Sequence, residues 1–193
     1  MQNASKTHGK RVKTVLRTIR IPSDMDVLLQ SDANAKNLSV NALISSILRK
    51  YAEWDRLAED FGFIGIHHET LTRILLAIED DEIAQIGTEL GEKLGREAPL
   101  FWFKECSVEA FVTVLSLHAK YTGAVRCEVQ WEGGKCTVLY QHNSGMKWSL
   151  LTKHFTSSAL KTMFGILPVC EIGERTAVVR FQCSQSGRET AET

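Results

Sequence analysis

The sequence lacks any apolar run that could cross a membrane. Its apolar stretches, such as Ile74 to Ile78 and Phe111 to Leu117, are far shorter than the roughly 20 residues of a membrane-spanning helix. The N-terminus, MQNASKTHGKRVK, is polar and basic and has no apolar segment behind it, so we expect no secretory signal. The sequence therefore predicts a cytoplasmic protein that makes no membrane contact.

Paired metal-ligand and catalytic motifs are also absent. The five cysteines are odd in number and form no C-x-x-C pair, which favours reduced thiols over a disulfide framework. No P-loop, Rossmann glycine pattern or G-x-S-x-G motif occurs, so we expect neither an enzyme nor a cofactor. Scattered side chains could ligate a metal, but their spacing favours no metal site; they are His118, His142, His154, Cys127 and Cys136.

The chain has no net charge, since 23 Lys and Arg balance 23 Asp and Glu, and taken alone this argues against nucleic-acid binding. The charge is unevenly distributed, however. Residues 1–50 contain nine Lys or Arg and three Asp, which is a net charge of +6, and the remaining residues carry −6. This asymmetry is typical of a basic DNA-binding segment attached to an acidic body, and the alternative is a solvated basic tail.

The pattern near the N-terminus predicts a strand followed by two helices. Residues 14–21, TVLRTIRI, alternate between two faces and predict a short strand, which Pro22 ends because it has no amide to donate. Apolar residues at helical spacing predict an amphipathic helix over 24–35. Ser39 is the predicted N-cap of a second helix that continues to about Arg56.

A lone strand of eight residues needs a partner strand, and none is predicted within residues 1–56. Two copies that pair their strands antiparallel would form a two-stranded β-ribbon, which fits the major groove of DNA. The residues on the outward face of that ribbon would be Leu16, Thr18 and Arg20. An arginine there can donate two hydrogen bonds to guanine, so this face is the predicted base-reading surface.

The segments RTIRIPSDM and LSVNALISSILRKYAEW resemble the ribbon-helix-helix DNA-binding domain of the Arc, MetJ and CopG type, over about Lys13 to Trp54. The resemblance implies a homodimer in which alternate outward strand residues contact bases, by position Leu16, Thr18 and Arg20. It also implies that the N-terminus of the second helix lies against a DNA phosphate, which its free amides and dipole favour. The implied backbone contacts are Lys13, Arg17, Ser39, Val40 and Asn41.

The C-terminal half predicts the order β-α-β-β-α-β. The first strand is FWF at 101–103, a hairpin surrounds Gly133-Gly134, and the last strand is Thr176 to Phe181. Two helices, Ser107 to Lys120 and Met146 to Phe164, separate them. This order is that of the ferredoxin-like fold, a sheet with two helices on one face.

The predicted fold class is therefore α+β, with an N-terminal ribbon-helix-helix domain, a helical connector and a C-terminal ferredoxin-like domain. The predicted ranges are a flexible basic arm at 1–12, the ribbon-helix-helix domain at 13–57, an acidic helical connector at 58–97, a ligand-binding or oligomerisation domain at 98–183, and a polar tail at 184–193.

Gln141 to Ser149 is the densest cluster of polar and aromatic residues outside the N-terminal segment. The cluster lies where a predicted strand meets a helix N-terminus, a position suited to anions or carboxylates. The alternative is a structural turn, in which Gly145 allows the backbone conformation that the turn needs and Trp148 packs in the core.

These features predict a prokaryotic-type transcription regulator, a repressor for example, that binds operator DNA as a homodimer or tetramer. Its C-terminal domain would bind a small-molecule effector or mediate oligomerisation. One alternative is an antitoxin or adaptor, whose body binds a protein partner and whose DNA binding is autoregulatory. Another is an intracellular sensor or enzyme whose C-terminal domain handles a small molecule.

Overall fold

A computed structural model describes residues 14–183 as a mixture of helices and one sheet. The chain divides into two compact units between Ile47 and Leu48, called here the N-terminal unit and the C-terminal unit. The predicted basic arm at 1–12, the predicted phosphate contact Lys13 and the predicted tail at 184–193 lie outside the described residues.

The N-terminal unit contains two helices, close to the predicted positions. Helix α1 spans Ser23–Ala35 and helix α2 spans Val40–Lys50. Pro22 precedes α1 with a φ of −57°, a value already suited to helix entry. The turn between the helices places Asn37 at a φ of +53°, a conformation that asparagine tolerates better than most residues.

The predicted strand at 14–21 is absent, and the prediction of a ribbon-helix-helix domain with a β-ribbon is therefore wrong. Residues 14–22 form no helix or strand before α1 begins. Alternating side chains show which residues would share a face of a strand, but a strand also requires ladder hydrogen bonds from a neighbour. No neighbouring strand lies beside this stretch in the described chain, and the sheet is built from residues 126–182.

Helix α2 is followed directly by a π-helical segment, Tyr51–Asp55, and by α3, Arg56–Phe61. A π-helical segment changes which residues face inward along a helix. Here Trp54 lies in the interior with 5% of its surface exposed, and its ring stacks on that of Trp102 at 5.3 Å between centroids. Gly62 ends α3 at a φ of +94°, where a side chain would be strained.

Two further helices precede the sheet: α4, His68–Leu76, and α5, Asp80–Phe103. Helix α6, Val108–Thr122, then leads into a hairpin of β1, Arg126–Glu132, and β2, Lys135–Gln141. Helix α7, Met146–Phe164, leads into a second hairpin of β3, Val169–Gly173, and β4, Thr176–Gln182. The predicted hairpin at Gly133-Gly134 is confirmed, and both glycines have positive φ.

The predicted ferredoxin-like order is wrong. The sheet has the order β1-β2-β4-β3 with antiparallel neighbours throughout, whereas a split βαβ arrangement needs parallel strands. The predicted strand FWF forms the last turn of α5, because the helix continues through Pro99 to Phe103. The sequence did not predict strand β3, because its five residues are too few to show a clear alternation.

The main core lies between one face of the sheet and helices α6 and α7. Alternate residues of β2 and β4 point inward and meet Phe111 of α6 and Leu160 of α7. The buried sheet residues are Cys136, Val138, Tyr140, Ala177, Val179 and Phe181. The opposite face carries exposed residues such as Lys135 and Arg180, so the sheet has one solvent-facing side.

Helices α5 and α7 pack with almost no side chain between their backbones. Three buried glycines of α5, spaced four residues apart, face α7. A methyl group added at Gly87 would lie 2.9 Å from the Leu151 carbonyl oxygen, and one at Gly95 would lie 2.6 Å from Ala159 Cβ. The third glycine, Gly91, faces the Phe155 carbonyl oxygen even more closely.

Within residues 14–183, no helix combines the length and apolar character needed to span a bilayer.

Candidate functional site

The predicted base-contacting residues lie in the stretch before α1. Leu16 is 89% exposed, and Thr18 and Arg20 are exposed as well. Arg17, a predicted phosphate contact, is also exposed and donates a hydrogen bond only to the neighbouring Leu16 carbonyl, at 3.4 Å. These side chains are therefore accessible, and their contact with DNA stays a prediction.

Ser39 caps α2 as predicted. Its Oγ accepts a hydrogen bond from the Ala42 amide at 3.1 Å, which satisfies one of the free amides at the start of the helix. Val40 and Asn41, the first two helical residues, precede that bonded amide. The first amides of a helix have no acceptor within the helix and can bind an anion.

The described part of the N-terminal unit buries little apolar surface. Its buried apolar residues are Ala33 and Leu43. Many large apolar side chains remain exposed within this unit instead: Val15, Leu16, Ile19, Met25, Val27, Leu28, Leu38 and Ile47. A segment of this size without its own core depends on association for stability.

The C-terminal unit contains an apolar cavity of about 270 Å³ between α5, α6, α7 and the sheet. Its wall is mostly aliphatic and aromatic, and includes Leu90, Leu94, Phe111, Leu115, Leu151 and Phe155. A benzene ring fits an engineered cavity of about 150 Å³, so this one has room for a ring and a few further atoms. An apolar cavity with few polar groups is typical of a small-molecule site.

One wall residue has a buried hydrogen-bond donor without a partner. Trp148, near the start of α7, lines the cavity, and its indole Nε1 is buried without a hydrogen-bond partner among the described residues. A buried polar group without a partner is costly, and a ligand that accepts its hydrogen bond would remove that cost. Tyr140 and Thr156, also in the wall, face each other with their hydroxyl oxygens 3.4 Å apart.

His118 of α6 also lines this wall. Burial lowers the pKa of His118, which favours the neutral imidazole at pH 7. Its ring packs against Phe63 and Trp54, with centroids at 5.5 and 5.9 Å. A neutral imidazole offers one donor and one acceptor, so His118 can hydrogen-bond a ligand without introducing a charge.

The cavity adjoins a larger groove of about 1000 Å³. Phe63, His118 and Trp148 line both spaces and therefore mark the boundary between them. The segment between α3 and α4 lines the groove as well, and it exposes Ile64 and Ile66. The cavity and the groove are therefore neighbours that share these three walls.

Hydrogen bonds fix the segment Gln141 to Ser149 near the boundary between the cavity and the groove. His142 is buried, with Nε2 at 2.8 Å from Ser149 Oγ and Nδ1 accepting from the Ser144 amide at 3.3 Å. Ser149 Oγ donates in turn to the Gly173 carbonyl at 2.6 Å. The imidazole of His142 therefore has its hydrogen bonds within the fold. The N–H of Trp148 has no partner among the described residues.

The possible metal ligands do not form a metal site. Within the described part of the chain, no group of three or more His, Cys, Asp or Glu side chains could hold a metal ion. Burial raises the pKa of Cys127 to about 11 and that of Cys136 to about 12, so both remain thiols at pH 7. A thiol is a poor nucleophile and a poor metal ligand in comparison with a thiolate.

Sequence reasoning left two alternatives for the cluster that contains Trp148, an anion site or a turn with Trp148 in the core, and weighed His118 only as a metal ligand. The signal that could have singled out Trp148 is its place in a polar cluster at the start of a helix, but the missing partner of its N–H is visible only in three dimensions. No known family model matches the chain, and no curated protein matches it either.

Proposed function

We propose that the protein is a transcription regulator that binds DNA through its N-terminal unit and a small, mostly apolar effector in the cavity of its C-terminal unit. The observation that carries the proposal is the combination in one chain of a basic N-terminal segment and a separate unit that contains an apolar cavity with an unpaired donor. DNA binding requires access to the chromosome, which fits the cytoplasmic location predicted from the sequence.

The charge distribution supports the DNA-binding part. The net charge of +6 on residues 1–50 favours phosphate, while the acidic remainder of the chain does not. Arg17 and Arg20 are exposed, and the capped start of α2 at Ser39 offers amides to a phosphate. None of these contacts requires regular structure at residues 14–22.

The exposed apolar side chains of the N-terminal unit support a homodimer. A second copy supplies the same kind of surface, and self-association is the common way for such small units to bury it. Pairs of homodimers could form a tetramer through the C-terminal units. The same exposed residues also favour the alternative function, an adaptor or antitoxin that covers them with a different protein. A chain that binds DNA but stays monomeric until a different protein is added would favour that alternative.

The DNA-binding part is tested by a mobility-shift assay on sequences selected from a random pool. Arg20→Ala removes an exposed cation and should weaken specific binding by about 1 to 3 kcal/mol if Arg20 contacts a base. The matched control is Arg96→Ala, an exposed arginine on α5 in the acidic unit, which should leave binding unchanged. If both variants bind selected DNA like the parent protein, Arg20 does not read DNA.

The effector part is tested with two neutral probes of similar shape, acetophenone and ethylbenzene. Only acetophenone carries an oxygen that can accept from Trp148 Nε1, so the parent protein should bind it about five- to tenfold more tightly, as one hydrogen bond of about 1 kcal/mol implies. Trp148→Phe removes the donor, and this variant should bind both probes equally. Calorimetric titration measures the four affinities. Failure of both probes to bind the parent protein would refute the effector site.

A further inference from the structure

A second, polar pocket of about 490 Å³ lies where β1 begins and β2 ends. Its lining includes two cations, Lys120 and Arg126, and the side-chain amides of Gln141 and Asn143. No Asp or Glu belongs to that lining, although residues 51–193 contain 20 acidic against 14 basic side chains. A pocket that gathers cations and amides in an acidic unit favours an anionic group.

The two cations are not equivalent. Lys120 is paired with Glu53, whose Oε2 accepts from Lys120 Nζ at 2.9 Å and from the Tyr121 hydroxyl. The Arg126 side chain has no hydrogen bond or ion pair within residues 14–183. The guanidinium of Arg126 is therefore available, and it supplies a single unneutralised positive charge.

One available guanidinium matches a carboxylate better than a dianionic phosphate. The two parallel N–H groups of arginine fit the two oxygens of a carboxylate, and the charges then balance one to one. Asn143 Oδ1 already accepts from Arg175, which leaves the NH₂ group of the Asn143 amide to donate.

The polar pocket and the apolar cavity both adjoin the groove. His68, Gly123 and Ala124 line both the polar pocket and the groove, as Phe63, His118 and Trp148 line both the groove and the cavity. Val125 lines the polar pocket on one side and the apolar cavity on the other. The three spaces are therefore neighbours, and a molecule that spans them would place its apolar part in the cavity and its other end near Arg126.

We propose that the effector is an arylalkyl carboxylate, whose ring occupies the apolar cavity and whose carboxylate pairs with Arg126. This inference rests on the proposed effector site and adds the charge and the approximate shape of its ligand. The ring uses the 270 Å³ cavity, a short alkyl chain crosses the groove, and the carboxylate ends in the polar pocket.

The experiment compares phenylacetate, 3-phenylpropionate and 4-phenylbutyrate with their uncharged amides by calorimetric titration of the full-length protein. For at least one chain length, the acid should bind about tenfold more tightly than its amide, as a charge-assisted hydrogen-bonded pair implies. Arg126→Gln should remove that preference while the amide binds within about twofold of its parent affinity. The matched control, Arg96→Gln on α5, should retain the preference.

The outcomes separate this inference from the site on which it rests. If acetophenone and the amides bind in a Trp148-dependent way but no acid is preferred, the effector site stands and the carboxylate inference is overturned. An acid preference that persists in Arg126→Gln overturns it as well. If none of the probes binds, the effector site and the carboxylate inference both fail. Far-ultraviolet circular dichroism of each variant verifies that it is folded.

Discussion

Trp148 and His118 illustrate which properties of a residue the sequence predicts and which it does not. The helical spacing of apolar residues in α7 predicts that Trp148 faces inward, and it does line the interior. That spacing carries no information about hydrogen-bond partners, because these depend on residues from distant parts of the chain. The unpaired N–H of Trp148 and the enclosed imidazole of His118 are therefore properties of the packed structure.

Buried and half-buried histidines make the fold sensitive to acid. Burial lowers the pKa of His118, His142 and His154 below the usual value of 6.5. As the pH falls below 6.5, the unfolded chain takes up protons that the folded chain resists, so the unfolded state gains stability relative to the folded state. The free energy of unfolding should thus be highest above pH 6.5 and decline as the pH falls through the lowered pKa values.

His118→Leu tests this pH dependence. Because the lowered pKa of His118 contributes to this decline, the variant should show a smaller decline in unfolding free energy between pH 7.5 and pH 5. His67→Leu, at an exposed position, is the control and should retain the whole decline. Urea unfolding at a series of pH values provides the measurement. Equal slopes for the two variants would contradict the prediction for His118.

Helices and hairpins were predictable where their own residues determine them. Helix α7 begins and ends at the predicted residues, and the turn at Gly133-Gly134 has the glycines that a tight hairpin requires. The helical connector was predicted to end at residue 97, but helix α5 continues through Pro99 to Phe103. A proline removes one hydrogen bond, and here packing of Ala98 and Trp102 in the aromatic cluster outweighs that loss.

Helices α5 and α7 meet at Gly87, Gly91 and Gly95, a contact called here the glycine seam. This contact gives a sharp prediction at the scale of elements. Gly91→Ala adds a methyl group against the Phe155 carbonyl oxygen, and the helices must separate to accommodate it. We expect the free energy of unfolding to fall by about 2 to 3 kcal/mol, although alanine has the higher helix propensity. Chemical denaturation measures this change.

Glu92→Ala is the control for that variant, because Glu92 is exposed on the same helix one residue later. The control should change stability by less than about 0.5 kcal/mol. If Gly91→Ala were as stable as Glu92→Ala, the close approach of the two helices would be incorrect.

At the scale of the whole molecule, the sequence was informative about charge and least informative about strand pairing. The change from a basic to an acidic composition near residue 50 lies close to the division between the two units at Ile47 and Leu48. Both wrong fold predictions concern strands, the ribbon at 14–21 and the ferredoxin-like order. Strands depend on partners elsewhere in the chain, which local alternation does not identify.

The glycine seam also determines where the cavity can change shape. Because the backbones of α5 and α7 are in contact, no side-chain rearrangement can bring this wall inward, and it behaves as one stiff two-helix plate. Outside this plate, Gly62 and Gly65 flank Phe63 and Ile64, and a methyl group added at either glycine would meet no neighbouring part of the chain within 4 Å. The wall formed by α5 and α7 is therefore fixed, so adjustment to ligands of different size falls on residues outside these two helices.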